Sequence, residues 1–588
     1  MRNYTNLILF FFFVSRVTLI AKQKHKIIPA IVIIVSIVFF AFSSGGNYKK
    51  NKLNNPTDIN AGSTYLVQIN KLIIPMDNSG VIANVNIGNI SEGQYDGKGF
   101  LYSGGFMMSG KDGGVLWSNG VATSSRIQDY VPGVVGMDPD DPKAHIYVVK
   151  ISDEPFGDSW LEWKDAVDMG AYFYDGDGDG VYNPVDKNGN GEWDQDEDKP
   201  DLLGDETIWC VYNDGLDRSL RAFTDQDPMG IEIRQTLWGY TTPGDLENIV
   251  FIRYSLNNAG TVEDVYDSVY FCVWDDVDLG GSDGYGDDLI GCDTTLSAGF
   301  TYNDGPDSAY GINPPCFLVD LFQGPWVETG TPEDLAFNTK GRLLGIDTIL
   351  GAVNLPQTSF VHYMQGHPTQ GDPDNAQQLR NYIMGKNQMG EFVDPCDWVF
   401  GTVLGNVDCS LIPGQFMYSG DPVSKYGWVN SYPTDQRQML GTGPFLLEKN
   451  KPVDIITAYI VGRSTSALNS VNMAELVDRS GQILFSSNFI TDVKPFDGQV
   501  PIAFKISQNY PNPFNPVTKI NYQIPKLNYI TLKVYDVLGN EITTLVNEEK
   551  SIGNYEVEFD GSIFPSGVYF YSLQAGSFVE TKKMILLK

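Results

Sequence analysis

The sequence predicts a mainly β protein: a multi-domain, β-sandwich-like body followed by a smaller β-sandwich at its C-terminal end. Three observations carry this. Turn formers are dense, with 61 glycines and 32 prolines in 588 residues. Between them lie short apolar runs that alternate with polar residues and draw on 31 tyrosines and 32 phenylalanines, the signature of strands rather than long helices. The chain is also too long for one ordinary core, so about two to four domains is the prior. The divisions expected are 1–43, a signal peptide; 44–140, an N-terminal β-rich region; 141–490, an acidic β-rich body; 491–506, a linker; and 507–588, the terminal sandwich.

Two apolar stretches open the chain, Leu7 to Val14 and Ile27 to Phe42, with Lys22-Gln23-Lys24-His25-Lys26 between them. The second has the build of a signal peptide: a basic start, about sixteen mostly apolar residues, and Ala41 and Ser43 at the −3 and −1 positions of a cleavage after Ser43. An uncleaved membrane anchor is the rival reading, and the short apolar length weighs against it. The first stretch then has no role, which places the expected start of translation near Val17 or Leu19.

The formal charge is −33. Residues 1–43 carry Arg2, Arg16, Lys22, Lys24 and Lys26 and no acid, so the exported part is more acidic still. Such a surface repels nucleic acid and anionic membranes, and divalent cations are its natural counter-ions.

From Thr57 to about Gly133 the text reads as a β meander. Tyr65–Ile69, Val81–Ile87 and Phe100–Met108 are strands, with Asp77-Asn78-Ser79-Gly80 and Lys111-Asp112-Gly113-Gly114 as turns. Trp117 and Tyr130 are read as core rather than as a sugar-stacking surface.

The sharpest chemical signal is Asp175 to Asp198. Asp175, Asp177 and Asp179 stand at loop positions 1, 3 and 5, with Gly180 at 6, the Val181 carbonyl at 7, Asn183 at 9 and Asp186 at 12. Asp186 begins the pattern again. Asn188 and Asn190 follow at 3 and 5, Gly191 at 6, the Glu192 carbonyl at 7, Asp194 at 9 and Glu197 at 12. A hard cation takes six to eight oxygens, and alternate residues on a tight loop present them from one side, so calcium is the expected ligand. Two loops sharing one aspartate resemble the calcium-wired repeats of thrombospondin type 3, and single loops of this sort occur in dockerins. The flanks Tyr172-Phe173-Tyr174 and Ile208-Trp209-Cys210 read as strand, unlike the paired helices of an EF-hand.

Asn248 to Val277 reads as a hairpin of Ile249–Leu256 and Val269–Trp274. The block Asp275, Asp276, Asp278, Asp283, Asp287, Asp288 and Asp293 lacks loop spacing, and a metal site and a solvated loop are equal readings of it. His362 and His367 are read as surface residues, and Gly441–Phe445 as a loop. Asn375–Met384 is expected as a short helix and Ser466–Asp478 as the best helix, its apolar stripe facing the core. Of the six cysteines, proximity favours pairing Cys272 with Cys292 and Cys396 with Cys409.

The absences narrow the function. There is no Cys-x-x-Cys, no His-Glu-x-x-His, no phosphate-binding loop and no dinucleotide fingerprint, so zinc ribbons and zincins lack their signatures. Paired carboxylates of a glycosidase remain open, because acids are too plentiful to single out a pair.

The terminal segment opens Gln508-Asn509-Tyr510-Pro511-Asn512-Pro513-Phe514-Asn515-Pro516, an extended entry that continues no helix. Ile520, Tyr522 and Ile524, then Ile530, Leu532 and Val534, then Val568, Phe570 and Ser572 alternate as half-buried strands of a roughly seven-stranded immunoglobulin-like sandwich. With Tyr535-Asp536-Val537-Leu538-Gly539, Ser566-Gly567-Val568-Tyr569 and the tail Lys582 to Lys588, Ser507 to Lys588 resembles the type A C-terminal sorting domain of the type IX secretion system. That resemblance implies recognition by the type IX machinery and delivery outside the cell or onto the outer-membrane surface. The body loosely resembles large exoproteins that carry the same tail, through Trp274-Asp275-Asp276 to Cys292-Asp293, Ser419-Gly420-Asp421-Pro422 and Gly443-Pro444-Phe445, a likeness that implies no activity. Two functional readings follow: a calcium-stabilised structural, adhesive or binding protein, and a polysaccharide-active enzyme or carbohydrate-binding protein that takes an extracellular glycan. Ten tryptophans and many exposed-looking tyrosines in an acidic chain motivate the second.

Overall fold

The computed structural model describes residues 63–489, 504–524, 528–537, 539–550, 553–575 and 578–588. The expected signal peptide, the alternative start, most of the linker, and Leu538 of the terminal motifs lie outside the described residues.

The chain is mainly β, in antiparallel sheets with no barrel. An eleven-stranded sheet runs, along its main path, Ser359–Tyr363, Arg437–Glu448, Val265–Asp276, Ser103–Asp112, Ile82–Ala83, Leu72–Asp77, Gly93–Tyr95 and Lys98–Leu101. A nine-stranded sheet runs Tyr147–Lys150, Glu206–Asn213, Ile231–Gly239, Ile249–Asn258, Val453–Gly462, Cys316–Gln323, Ala298–Tyr302 and Leu289–Asp293. The largest core draws on both sheets. Phe106 of the first meets Tyr212 and Tyr254 of the second at 6.2 and 5.6 Å between ring centres. The outer face of the nine-stranded sheet is covered as well, by the helix Ala467–Ser486 around one apolar cluster and by the helix Asp158–Asp168 around another.

Cover on both faces explains why Ile249–Asn258 and Val453–Gly462 are buried at every position. It also explains why the hairpin reading of 248–277 fails. Both runs are strands, but Ile249–Asn258 pairs with Ile231–Gly239 and Val453–Gly462, whereas Val265–Asp276 pairs with Ser103–Asp112 and Arg437–Glu448. The chain crosses between sheets there, and Asn258 pins the crossing by donating to the carbonyls of Glu263 and Leu447. Two adjacent apolar runs do not say which partner each takes. The same crossing separates Cys272 from Cys292: they sit in different sheets as buried free thiols, with Cys210 and Cys316, and the expected bridge is absent. Cys396 and Cys409 are bonded as expected.

Gly441–Phe445 is not a loop but the middle of the strand Arg437–Glu448. A Cβ on Gly441 would lie 2.3 Å from Ser359 Oγ and 2.5 Å from the Ile383 carbonyl, so glycine marks close approach rather than a turn. Both expected helices form. Ser466 accepts the amide of Asn469 at the start of Ala467–Ser486, and Asn375 that of Gln378 at the start of Ala376–Ile383. Val471, Ala474, Val477 and Leu484 face the core, and Gly462 lets the long helix lie close: a Cβ there would be 2.0 Å from the Ala474 nitrogen. The helix Asp158–Asp168 was not foreseen, although Trp160, Trp163 and Ala166 recur at helical spacing and are its buried face. Trp117 and Tyr130 are core, as expected. His362 is not on the surface: it is buried between Gln436 and Tyr418.

The terminal domain packs a three-stranded sheet (Lys505–Ile506, Val517–Ile524, Gly553–Asp560) and a four-stranded sheet (Glu541–Lys550, Asn528–Tyr535, Gly567–Ala575, Phe578–Leu586) around one core. Ile520, Tyr522, Ile524, Ile530, Leu532 and Val534 point inward as read. In Gly567–Ala575 the phase is opposite to the reading: Tyr569, Tyr571, Leu573 and Ala575 are buried, and Val568, Phe570 and Ser572 are only partly covered. A one-residue shift exchanges the two faces of a strand, and here both faces carry apolar residues. Tyr571 settles inward because its hydroxyl has partners there, donating to the Ser507 carbonyl and accepting the Asn509 amide.

Candidate metal centre

The segment 175–198 leaves the body through a short antiparallel neck, Phe173–Tyr174 against Lys199–Pro200, with Phe173 opposite Pro200 and Tyr174 opposite Lys199. Above the neck the chain makes the same turn twice. The Asp175 carboxylate accepts the amides of Gly178, Asp179 and Gly180, at 2.7, 3.2 and 2.9 Å. Eleven positions on, Asp186 accepts those of Gly189, Asn190 and Gly191, at 2.6, 3.2 and 2.8 Å. The third acid or amide of each turn repeats as well: Asp179 Oδ1 accepts the Val181 amide, and Asn190 Oδ1 the Glu192 amide. Gly178, Gly180, Gly189 and Gly191 all have φ between 73° and 79°, the left-handed backbone that makes these positions glycine.

The oxygens converge, though not wholly in the expected grouping. Carboxylate oxygens of Asp175, Asp177 and Asp198 lie within 4.8 Å of one another. Asp198 was not among the residues read from the sequence. It reaches the first turn from the far end of the segment, held by the Gly176 and Asn183 amides. Asp186, read as closing the first loop, turns its carboxylate to the second. There Asp194 Oδ2 accepts from Asn188 and Asn190 at 2.6 and 2.9 Å. Glu197 is buried and accepts the Lys187 and Asp194 amides through its two oxygens. The signal for Asp198 was present in the run Asp194 to Asp198, but fixed spacing does not describe a return from the end of a double loop.

The donor set is chemically uniform. Residues 175–198 hold nine acidic side chains and one basic one, Lys187, whose ammonium sits 3.1 Å from Asp177 Oδ2 and also donates to the Asp196 carbonyl. A cation already occupies part of the oxygen cage. The Lys187 contact holds the Asp177 carboxyl below its ordinary range, and the Gly191 amide does the same for Asp186. Burial instead raises Asp198. Residues 175–198 contain no cysteine, methionine or histidine, so their oxygen donors fit a hard ion rather than zinc.

The neck leads directly to a polar cavity. Tyr172 and Asp201, the residues just outside it, line the cavity together with Trp163, Gly170, and Arg234 and Arg253 of the nine-stranded sheet. Burial pushes the Asp201 carboxyl up to about 6 against the opposing pull of Arg253, 3.4 Å away. A second group of close carboxylates, Asp276, Asp278 and Asp435, is already served by Arg437, which pairs with Asp276 at 3.2 Å and Asp435 at 2.9 Å.

The terminal domain presents a different kind of site. Its proline-rich entry lies along the last strand, with the Phe514 amide donating to the Ile585 carbonyl and the Phe514 carbonyl accepting the Leu587 amide. Residues 508–587 match the family model of the secretion system C-terminal sorting domain. The sorting domain marks the chain for export by the type IX system to the cell surface or the extracellular space. No curated protein matches the chain. Among solved structures, a polysaccharide lyase is similar at 10% identity and a TM-score of 0.23, over 90% of this chain and 47% of that one. Dimeric latent PorU from Porphyromonas gingivalis is similar at 9% identity and a TM-score of 0.13, over 65% of this chain and 31% of that one. The chain thus spans less than half the length of either, and neither likeness bears on its function.

Proposed function

We propose that the exported chain is a calcium-stabilised β protein with a structural, adhesive or binding role, and that residues 175–198 take up calcium once outside the cell. The observation that carries this reading is the repeated turn: two aspartates eleven positions apart, each gathering three amides and aiming carboxylate oxygens at its neighbours. Asp175, Asp177 and Asp198 would hold one ion, with Asp179, the Val181 carbonyl and Asn183 near it. Asp186, Asn188, Asn190, the Glu192 carbonyl, Asp194 and Glu197 would hold the other. The ion supplies charge neutralisation and no reaction chemistry. For extracellular modules with Kd of about 10⁻⁴ to 10⁻³ M, millimolar calcium contributes roughly 0.4 to 1.4 kcal/mol per site.

This chain's own residues connect that binding to the body. Fixing the double loop fixes its neck, and the neck positions Tyr172 and Asp201 over the arginines of the cavity. The tryptophans give the glycan reading little support: Trp117, Trp160, Trp163, Trp209, Trp238, Trp274 and Trp428 are buried, which spends seven of ten on the core, and exposed tyrosines such as Tyr426 and Tyr432 are what it keeps.

Calorimetric titration of the mature chain with calcium tests the proposal. A variant carrying Asp175→Asn and Asp186→Asn should bind two fewer ions than its parent. An unchanged stoichiometry would refute it.

A further inference from the structure

The connection from Val277 to Asp288 carries acids and no basic residue, and two buried oxygens across from it have nothing to bond. The first is Asp307 Oδ2. Asp307 is buried, and its other oxygen, Oδ1, accepts the amides of Ala309 and Tyr310, but Oδ2 has no partner. That oxygen is aimed into the connection. A Cβ built on Gly284 would lie 2.4 Å from it and 2.1 Å from the Leu279 carbonyl oxygen, and one on Gly280 would lie 2.7 Å from it. Side chains are excluded from both positions, and two oxygens face the same small space.

The second is Asn303 Oδ1, also buried and without a partner. The amide nitrogen of Asn303 donates to Asp287 Oδ1 at 2.7 Å and Asp288 Oδ1 at 3.1 Å, which sets both carboxylates against the same residue. Asp288 in turn takes the Leu279 amide at 3.0 Å, so the backbone that offers the Leu279 carbonyl is fixed. Burial, and then the nearby Asp307 charge, raise the Asp287 carboxyl. The cations in the neighbourhood are committed elsewhere: Arg437 to Asp276 and Asp435, and Arg463 to Asp96 and the carbonyls of Asn313 and Tyr310.

A buried carboxylate oxygen without a donor is costly, and so is the buried Asn303 amide oxygen. A hard cation seated between Asp307 Oδ2 and the Leu279 carbonyl relieves the first of these. We infer that Asp287, Asp307 and Asn303, with the Leu279 carbonyl, bind a divalent cation of the calcium class at a site separate from residues 175–198. The ion clasps the acidic connection to the turn at Asp307–Gly311 and so secures the edge strand Leu289–Asp293 and its neighbour Ala298–Tyr302 in the nine-stranded sheet. This site does not depend on the double loop, and either can stand without the other.

Equilibrium dialysis of the full mature chain against radioactive calcium at saturating concentration counts the ions. Asp307→Asn and Asp287→Asn should each bind one ion fewer than the parent, while the Asp175→Asn, Asp186→Asn variant keeps this ion. Asp287 is only partly buried, so its variant gives the reading even where Asp307→Asn fails to fold. Parental counts in both single variants overturn the inference. Loss confined to the Asp175→Asn, Asp186→Asn variant overturns it and leaves the double loop standing; loss confined to the Asp287 and Asp307 variants supports it and overturns the double loop.

Discussion

Replacing His362 by glutamine should remove an acid sensitivity that belongs to that side chain alone. The imidazole lies in Ser359–Tyr363, an edge strand of the eleven-stranded sheet, and is buried. Its Nδ1 is 2.8 Å from Gln436 Oε1, and its Nε2 is 3.0 Å from the Tyr418 hydroxyl, which also accepts Trp398 Nε1 at 2.8 Å. In the neutral ring Nδ1–H donates to Gln436 and the Tyr418 hydroxyl donates to Nε2, so a second proton has no acceptor. Burial lowers the pKa from 6.5 to about 4. Because the folded value is depressed, stability is intact above the unfolded value and is lost as the pH falls toward the folded one. The whole effect is about 3 kcal/mol, and about 2 kcal/mol of it falls between pH 7 and pH 5. Urea unfolding of parent and His362→Gln at those two pH values isolates it, since carboxylates contribute equally to both. The parent should lose about 2 kcal/mol more than the variant. Equal losses would show that the ring titrates without cost and that the buried network is misassigned.

Other consequences can be checked in parallel. Ellman's reagent should find no reactive thiol in the folded chain and four in the denatured, unreduced chain, from Cys210, Cys272, Cys292 and Cys316; two would restore the Cys272 to Cys292 bridge. Ser466→Ala should lower stability by about 1 kcal/mol in chemical denaturation, because the Asn469 amide loses its acceptor. Asp320 and Asp478 are buried, Asp478 with both carboxylate oxygens and Asp320 with one left without a donor, and burial raises both carboxyls. Their contribution is therefore greatest in acid and is lost as the pH rises from the ordinary carboxyl range through neutrality. Asp478→Asn, which removes one titrating carboxyl, should flatten the stability profile between about pH 4 and 8; profiles parallel to the parent would contradict the raised carboxyls.

The parts of the fold that were legible in the sequence are those set by local chemistry. Ser466 and Asn375 announce their helices because a side-chain oxygen before an apolar period is itself the cap. The glycines of the double loop announce left-handed turns, and Ile520, Tyr522 and Ile524 announce their face because one side of the strand is polar. What failed depended on distant partners. Ile249–Asn258 and Val265–Asp276 are apolar throughout much of their length, so nothing local told them to pair with different neighbours. Gly441 looked like a turn because the close approach of Ser359 and Ile383 is invisible along the chain. Asp198 and Asp307 were missed for the same reason: each reaches its neighbours from a residue outside the repeating pattern.

The measurement that bears most directly on the calcium reading is hydrogen exchange of residues 175–198 in the mature chain, with millimolar calcium and with chelator. Calcium should slow the amides of Gly178, Gly180, Gly189 and Gly191, which the two aspartates gather, and should also slow the neck amides of Phe173, Tyr174 and Lys199. Identical exchange in the two conditions would show that the segment is an acidic turn and not an ion-binding one.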